Sequence, residues 1–190
     1  MLDLSDTQLL NHAQPIRLLV LDVDGILSDG QLYINNHMGE VKSFSALDGQ
    51  GIKMLQGSGV KVAIITGRIS MSVTQRAKEL NIELVLQGRE DKLNALNQLN
   101  QNLLLRWDEI AYMGDDLPDL AAIIKVGLGI TVPNAASTLG PYSQYVTNSY
   151  GGRGAIREVC ELIMQAQGTW DAALAPYFNS QLTVDGGNRI

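Results

Sequence analysis

Asp22 and Asp24 stand one residue apart at the end of an apolar run, Ile16–Leu21, and Gly25 follows them. Carboxylates at the end of a buried strand are costly unless they are paired, hydrogen-bonded or bound to a metal. The glycine permits a sharp turn that brings backbone N–H groups close to whatever the carboxylates address. Further along come Thr66-Gly67-Arg68, then Lys92, then Gly114-Asp115-Asp116-Leu117-Pro118-Asp119. Each has a plain structural alternative: Thr66 can cap a helix, Lys92 can be a solvated helix residue, and Gly114-Asp115-Asp116 can be a turn. Together they supply hard oxygen ligands, a hydroxyl, a glycine turn and an ammonium, the set that phosphoryl transfer needs.

In that chemistry Asp22 and Asp115, with a backbone carbonyl, would seat Mg²⁺, which keeps several waters and takes a phosphate oxygen. Thr66 O–H, backbone N–H groups and Lys92 would hold the remaining phosphoryl oxygens as charge develops. A nucleophilic aspartate forms an aspartyl phosphate and divides one hard displacement into two easier ones. A second aspartate two residues on can protonate the leaving alcohol and then deprotonate the attacking water. One carboxylate must therefore start ionised and the other protonated.

These groups have to be delivered to one place by the elements that carry them. Short apolar runs read as strands at Ile16–Leu21, Val60–Ile65, Glu83–Leu86, Ile110–Met113, Gly127–Thr131 and Tyr145–Thr147. They alternate with helix-like segments at Gly49–Gln56, Ser70–Leu80, Asp91–Asn100, Pro118–Lys125 and Ala155–Gln167. Alternation of this kind predicts an α/β fold, a three-layer Rossmann-like parallel sheet with helices on both faces. Ligands of such sheets bind beyond the carboxyl ends of the strands, where every candidate above falls. One segment breaks the pattern: residues 30–44 read as a small β-hairpin inserted after the first strand. A single domain over residues 1–167 and a C-terminal tail over residues 168–190 are expected.

The bulk properties narrow the class. A formal charge of −6 and a pI near 4.8 argue against a nucleic-acid surface. With 45% hydrophobic residues the chain reads as an ordinary globular protein. Cys160 is the only cysteine, so an intrachain disulfide is impossible. The first residues lack the basic region of a secretory signal, and no apolar stretch reaches the roughly 18 residues of a membrane span. A cytoplasmic protein without a membrane partner is expected.

Asp22-Val23-Asp24-Gly25, Thr66-Gly67-Arg68, Lys92 and Gly114-Asp115-Asp116-Leu117-Pro118-Asp119 resemble, in order and spacing, the four motifs of the haloacid dehalogenase-like phosphatases over about residues 16–167. The resemblance implies Asp22 as nucleophile, Asp24 as general acid/base, and Thr66 and Lys92 on the phosphate. It further implies Mg²⁺ on Asp22, Asp115 and the main-chain carbonyl of Asp24, with Asp116 and Asp119 supporting the loop from behind. Asp29-Gly30, the hairpin ending at Phe44, Asp48-Gly49-Gln50-Gly51-Ile52, Gln87-Gly88 and Gly151-Gly152-Arg153-Gly154-Ala155-Ile156-Arg157-Glu158 are similar to a cap-less branch of that family. That branch acts on the 8-phosphate of an eight-carbon sugar acid in lipopolysaccharide precursor synthesis. This implies a phosphorylated sugar acid as the small-molecule partner, and a homotetramer in which hairpins pair and a neighbour covers each site. Gly67, Arg68, Asp48, Gly49 and Arg153 are the implied substrate-binding residues. The stretch Phe44-Ser45-Ala46-Leu47-Asp48 departs from the branch, where a more polar or basic residue is expected.

Two other readings compete. A nine-carbon sugar acid 9-phosphate would use the same phosphate chemistry. A receiver-like phosphoacceptor switch also combines acids, a hydroxyl and a lysine on a parallel sheet. Asp24 argues against the switch, because an acid/base two residues from the nucleophile would hasten loss of the phosphate.

Overall fold

A computed structural model describes residues 7–35 and 39–179. The expected reading of residues 1–6, of the hairpin tip at 36–38 and of the last residues, 180–190, lies outside that range.

The chain begins with α1 (Thr7–Ala13) and β1 (Leu18–Leu21), then makes an irregular turn, Val23–Leu27. The hairpin β2 (Tyr33–Asn35) and β3 (Gly39–Val41) follows. Next come α2 (Ala46–Gly57), β4 (Lys61–Ile65), α3 (Met71–Glu79), β5 (Leu84–Leu86) and α4 (Lys92–Leu103). Then follow β6 (Ile110–Met113), α5 (Leu120–Lys125), β7 (Leu128–Thr131), β8 (Tyr145–Val146), α6 (Ala155–Ala166) and α7 (Trp170–Asn179). Six strands form one parallel sheet in the order β5-β4-β1-β6-β7-β8. The order runs outward from β1 to β5, then returns to β6 on the other side of β1, so the topological switch point lies at the end of β1.

Side-chain alternation along β1 builds the three layers. Leu18 and Val20 pack with Ala95, Leu96 and Leu99 of α4 and Ala122 and Ile123 of α5. Leu19 and Leu21 face the opposite core, with Ile52 and Leu55 of α2, Val73 and Ala77 of α3, and Ile156, Val159 and Ile163 of α6. Both faces are covered, which is why the strands read as continuous apolar runs rather than alternating ones.

Element boundaries move for local reasons. Helix α2 starts three residues before the expected Gly49, because the Ser45 hydroxyl accepts the Asp48 N–H at 3.3 Å and caps it. Gly51 in that helix lets α6 approach closely: a Cβ there would sit 3.0 Å from the Arg157 Cα. The expected Pro118–Lys125 helix divides into a 3₁₀ turn, Leu117–Asp119, and α5, since the Asp116 carboxylate accepts the Leu117 N–H at 2.8 Å and fixes the turn.

The hairpin is antiparallel, with Tyr33 opposite Val41 and Ile34 opposite Glu40, and a Ser28–Phe44 bridge closes its base. Its arms are apolar and exposed at Leu32, Tyr33, Ile34 and Val41. Within the segment read as a tail, α7 docks on the body: the Thr169 N–H donates to the Met164 carbonyl at 2.8 Å, and the Arg157 guanidinium lies 5.8 Å over the Trp170 ring. No helix among the described residues is long and apolar enough to cross a membrane.

Candidate active site

Register brings the motifs together. Leu21 pairs with Ile64 on one side and Met113 on the other, so β1 and β6 end level and β4 runs one residue further. The chain leaves them at Asp22, Thr66 and Gly114. A last sheet bond pins each exit: the N–H groups of Asp22, Thr66 and Gly114 donate to Met113, Leu86 and Ile130 at 3.0, 2.9 and 3.1 Å. Lys92 enters at the first residue of α4. A cleft of about 320 Å³ results, lined by Asp22, Asp24, Thr66, Lys92 and Asp115 among others, with Gly67, Arg68, Asp116 and Asp119 also on its wall.

The turn after β1 is held from two directions. Gly25 has φ of +86°, and a Cβ there would lie 1.9 Å from Asp115 Oδ2, so only glycine leaves that carboxylate room. Behind the turn, Gly151 packs so closely that a Cβ would overlap the Gly25 carbonyl, and the Gly152 N–H donates to the Ile26 carbonyl at 2.8 Å. The late glycine-rich motif therefore braces the turn after β1.

Lys92 lies buried at the centre. Its Nζ donates to Asp22 Oδ1 at 2.5 Å, Asp119 Oδ1 at 3.1 Å and the Ile65 carbonyl at 3.2 Å. Asp119 is a hub: Oδ1 also accepts the Tyr112 hydroxyl at 2.7 Å, and Oδ2 accepts the N–H groups of Asp115 and Asp116 at 3.2 and 3.3 Å. Burial and the Asp119 charge push the Asp22 carboxyl up to about 7, against the opposing pull of Lys92. Burial and the charges of Asp22 and Asp119 likewise push Asp115 up to about 7. Lys92 is itself held above its ordinary value: burial opposes its charge, but the flanking Asp22 and Asp119 charges outweigh that.

Such a surplus of negative charge in a shielded place is what a hard cation would relieve. Carboxylate oxygens of Asp22, Asp115 and Asp119 lie within 4.8 Å of one another. Both Asp119 oxygens already accept two bonds each, which leaves Asp22 and Asp115 to face the cleft. The donor set fits Mg²⁺.

The remaining candidates divide. Arg68 is half exposed, with Nε 3.7 Å from Asp24 Oδ2. Gly67 lies beside Glu90, whose Oε1 would be 2.8 Å from a Cβ at that position. Asp116 is exposed and caps its own turn. Asp48 is not brought to the cleft. It is fully buried and accepts the N–H groups of Gly154 and Arg157 at 3.2 and 2.9 Å, at the start of α6. Gly49 is buried against the Arg76 guanidinium. Arg153 is exposed and borders a separate hollow with Leu47, Asn148 and Glu161. Among the residues absent from the expected set, two bond to aspartates of the site. Tyr112 was hidden in an apolar strand, where its hydroxyl was the one polar signal. Lys42, from the hairpin's return limb, is bonded to Asp24 Oδ1.

The family profile of haloacid dehalogenase-like hydrolases matches residues 82–158. The 3-deoxy-D-manno-octulosonate 8-phosphate phosphatase KdsC of Salmonella typhi is 46% identical over 167 residues, 88% of this chain and 89% of the relative. The chain belongs to the haloacid dehalogenase-like hydrolases. KdsC of Escherichia coli K12 is 47% identical over 161 residues, 85% of this chain and 86% of its own. Among solved structures, the 3-deoxy-D-manno-octulosonate 8-phosphate phosphatase of Moraxella catarrhalis, in complex with magnesium, phosphate and KDO, superposes with a TM-score of 0.89. It is 47% identical and the match covers 90% of this chain and 99% of that one. As a haloacid dehalogenase-like hydrolase, the chain has the three-layer α/β architecture expected of it, with the hairpin outside the main sheet.

Proposed function

We propose that this protein is a Mg²⁺-dependent phosphatase that hydrolyses 3-deoxy-D-manno-octulosonate 8-phosphate, in lipopolysaccharide precursor synthesis. The observation that carries the reading is Lys92 Nζ at 2.5 Å from Asp22 Oδ1, in a cleft shared with Asp24, Thr66 and Asp115. Likeness to KdsC over most of both chains supports the choice of substrate.

An Asp22 carboxylate oxygen attacks phosphorus, and the bond from phosphorus to the sugar oxygen breaks. Asp24 gives its proton to that oxygen as it leaves. Water then attacks the aspartyl phosphate, Asp24 takes back a proton, and the bond from phosphorus to Asp22 breaks to release inorganic phosphate. Thr66 Oγ–H and Lys92 Nζ–H donate to the phosphoryl oxygens throughout. Asp22 and Asp115, with the Asp24 carbonyl, would hold Mg²⁺, which supplies positive charge so that two anions can meet. Asp116 and Asp119 support from behind, the latter by orienting Lys92. Gly67 and Arg68 stand on the cleft wall to meet the sugar acid; Asp48 and Gly49 lie buried away from it, and Arg153 lines a separate hollow.

Purified protein with Mg²⁺ should release phosphate from 3-deoxy-D-manno-octulosonate 8-phosphate with a higher kcat/KM than from a nine-carbon 9-phosphate. Chelation should abolish the activity and added Mg²⁺ should restore it. Absence of release with Mg²⁺ present would refute the reading.

The same reading places a single catalytic domain over residues 1–167 with residues 168–190 as its tail, working in the cytoplasm, where the lone thiol of Cys160 stays reduced. It also makes the protein a homotetramer. The apolar, exposed arms of the hairpin, Leu32, Tyr33, Ile34 and Val41, support assembly through that element. Light scattering is expected to give four times the chain mass, and a monomer with full activity would exclude it.

A further inference from the structure

Lys42 is the least expected group at the site. It follows β3 in an extended segment whose side chains alternate, with Val41 and Ser43 outward, Lys42 inward and Phe44 half-buried. The Ser28–Phe44 bridge anchors that segment to the end of the catalytic turn. The Lys42 side chain is only 1% exposed, whereas that of Asp24 is 25% exposed. A lysine is seldom buried without a counter-charge, because removing its ammonium from water costs several kcal/mol. In the resting site an ionised Asp24 meets that need through Oδ1, and its acid form carries the proton on the other oxygen, Oδ2, keeping the Lys42 bond.

Asp24 has the converse problem. Its backbone is extended within the turn (φ −74°, ψ 116°), and its carboxylate borders the open cleft. An unsecured side chain there would exchange between staggered rotamers, some of them directed to water. Proton transfer needs the donor within hydrogen-bond reach of the leaving oxygen. Lys42 on Oδ1, with Arg68 Nε at 3.7 Å from Oδ2, brackets the carboxylate from both sides. Of the two, Arg68 is half exposed and Lys42 is buried.

We propose that Lys42 is a positioning residue for the acid/base: the hairpin reaches back into the site and holds the Asp24 carboxylate toward the leaving oxygen. The insertion thereby has a task inside its own subunit. This inference rests on the phosphatase reading of the site.

The test exploits the leaving group. A sugar alkoxide must be protonated as it departs, whereas p-nitrophenolate leaves without a proton. The kcat/KM value reports the steps through the first irreversible one, so it isolates the transfer to Asp22. Lys42→Met is expected to lower kcat/KM about 100-fold on the sugar acid phosphate and less than about threefold on p-nitrophenyl phosphate, since general acid catalysis is worth roughly 10²–10⁴-fold. Lys42→Arg should recover part of the loss and serves as the variant of record if Lys42→Met does not fold. In an Asp24→Asn background, Lys42→Met should add no further loss, because the two act as one unit. Equal losses on both substrates, or additive losses in the double variant, would overturn the proposal. A wild-type enzyme inactive on both esters would instead overturn the phosphatase reading itself, and that outcome is visible before any variant is made.

Discussion

Asp22→Asn is expected to eliminate phosphate release, by a factor on the order of 10⁴ or more, as loss of a nucleophile does elsewhere. The amide is nearly isosteric, so the cleft keeps its shape while the attacking oxygen loses its charge. No phosphorylated enzyme should be trapped by acid quench from the variant, whereas wild type should yield an acid-stable, base-labile acyl phosphate. The fold should gain from the change. Asp22 has a folded value near 7 against an ordinary 3.8. Below pH 3.8 the carboxyl is neutral in both states and costs nothing. As pH rises, the unfolded chain ionises first, so stability falls progressively until the folded value near 7 is passed. Metal-free Asp22→Asn should therefore melt at a higher temperature than metal-free wild type at pH 7, with the gap closing toward pH 4. Lys92 is not orphaned by the substitution, because Asp119 still pairs with it at 3.1 Å. A variant less stable than wild type at neutral pH would show that the Lys92–Asp22 bond outweighs the burial of charge.

Asp119→Asn should have the opposite signature, a large loss of stability together with a loss of activity. The Asp119 carboxylate accepts from four donors: Lys92 Nζ, the Tyr112 hydroxyl, and the N–H groups of Asp115 and Asp116. An amide has one accepting oxygen and one donating nitrogen. If the oxygen faces Lys92 and Tyr112, the nitrogen confronts two N–H groups; if it turns round, the nitrogen confronts an ammonium. Either orientation leaves buried donors unpartnered and removes a buried counter-charge, a class of change that costs about 3–5 kcal/mol. Urea unfolding should detect it. Lys92 would then be held by Asp22 and Ile65 alone, and misplacement on the order of 1 Å costs about 100-fold in rate. Unchanged stability would mean that Asp119 is not the support of the loop. The contrast between the two aspartates, one stabilised and one destabilised by the same chemical change, separates a group placed for reaction from a group placed for architecture.

The parallel sheet, its helices and the rim where the motifs meet were legible because apolar periodicity fixes which residues are buried, and parallel strands deliver their carboxyl ends to one side. Asp22, Asp24, Thr66, Lys92 and Asp115 could be picked out because each follows or closely trails a strand. Their grouping at one rim needs only that the strands run parallel, so that every carboxyl end lies on the same side. Asp48, Lys42 and Tyr112 show where that logic stops. Asp48 stands in a conspicuous Asp-Gly-Gln-Gly motif, yet it caps a helix more than a hundred residues away, at Gly154 and Arg157. Nothing in its neighbourhood carries that information. Lys42 has an inward place in its extended segment, but whether inward meant core, solvent or Asp24 was decided when the hairpin closed over the turn. Tyr112 reads as one more apolar strand residue until its hydroxyl meets Asp119. The sequence by itself determined the layers, the rim and the groups able to do phosphoryl chemistry. Only the tertiary structure decided which carboxylate pairs with which cation, because those pairs join segments far apart in the chain, and a charge finds its partner through packing rather than through spacing.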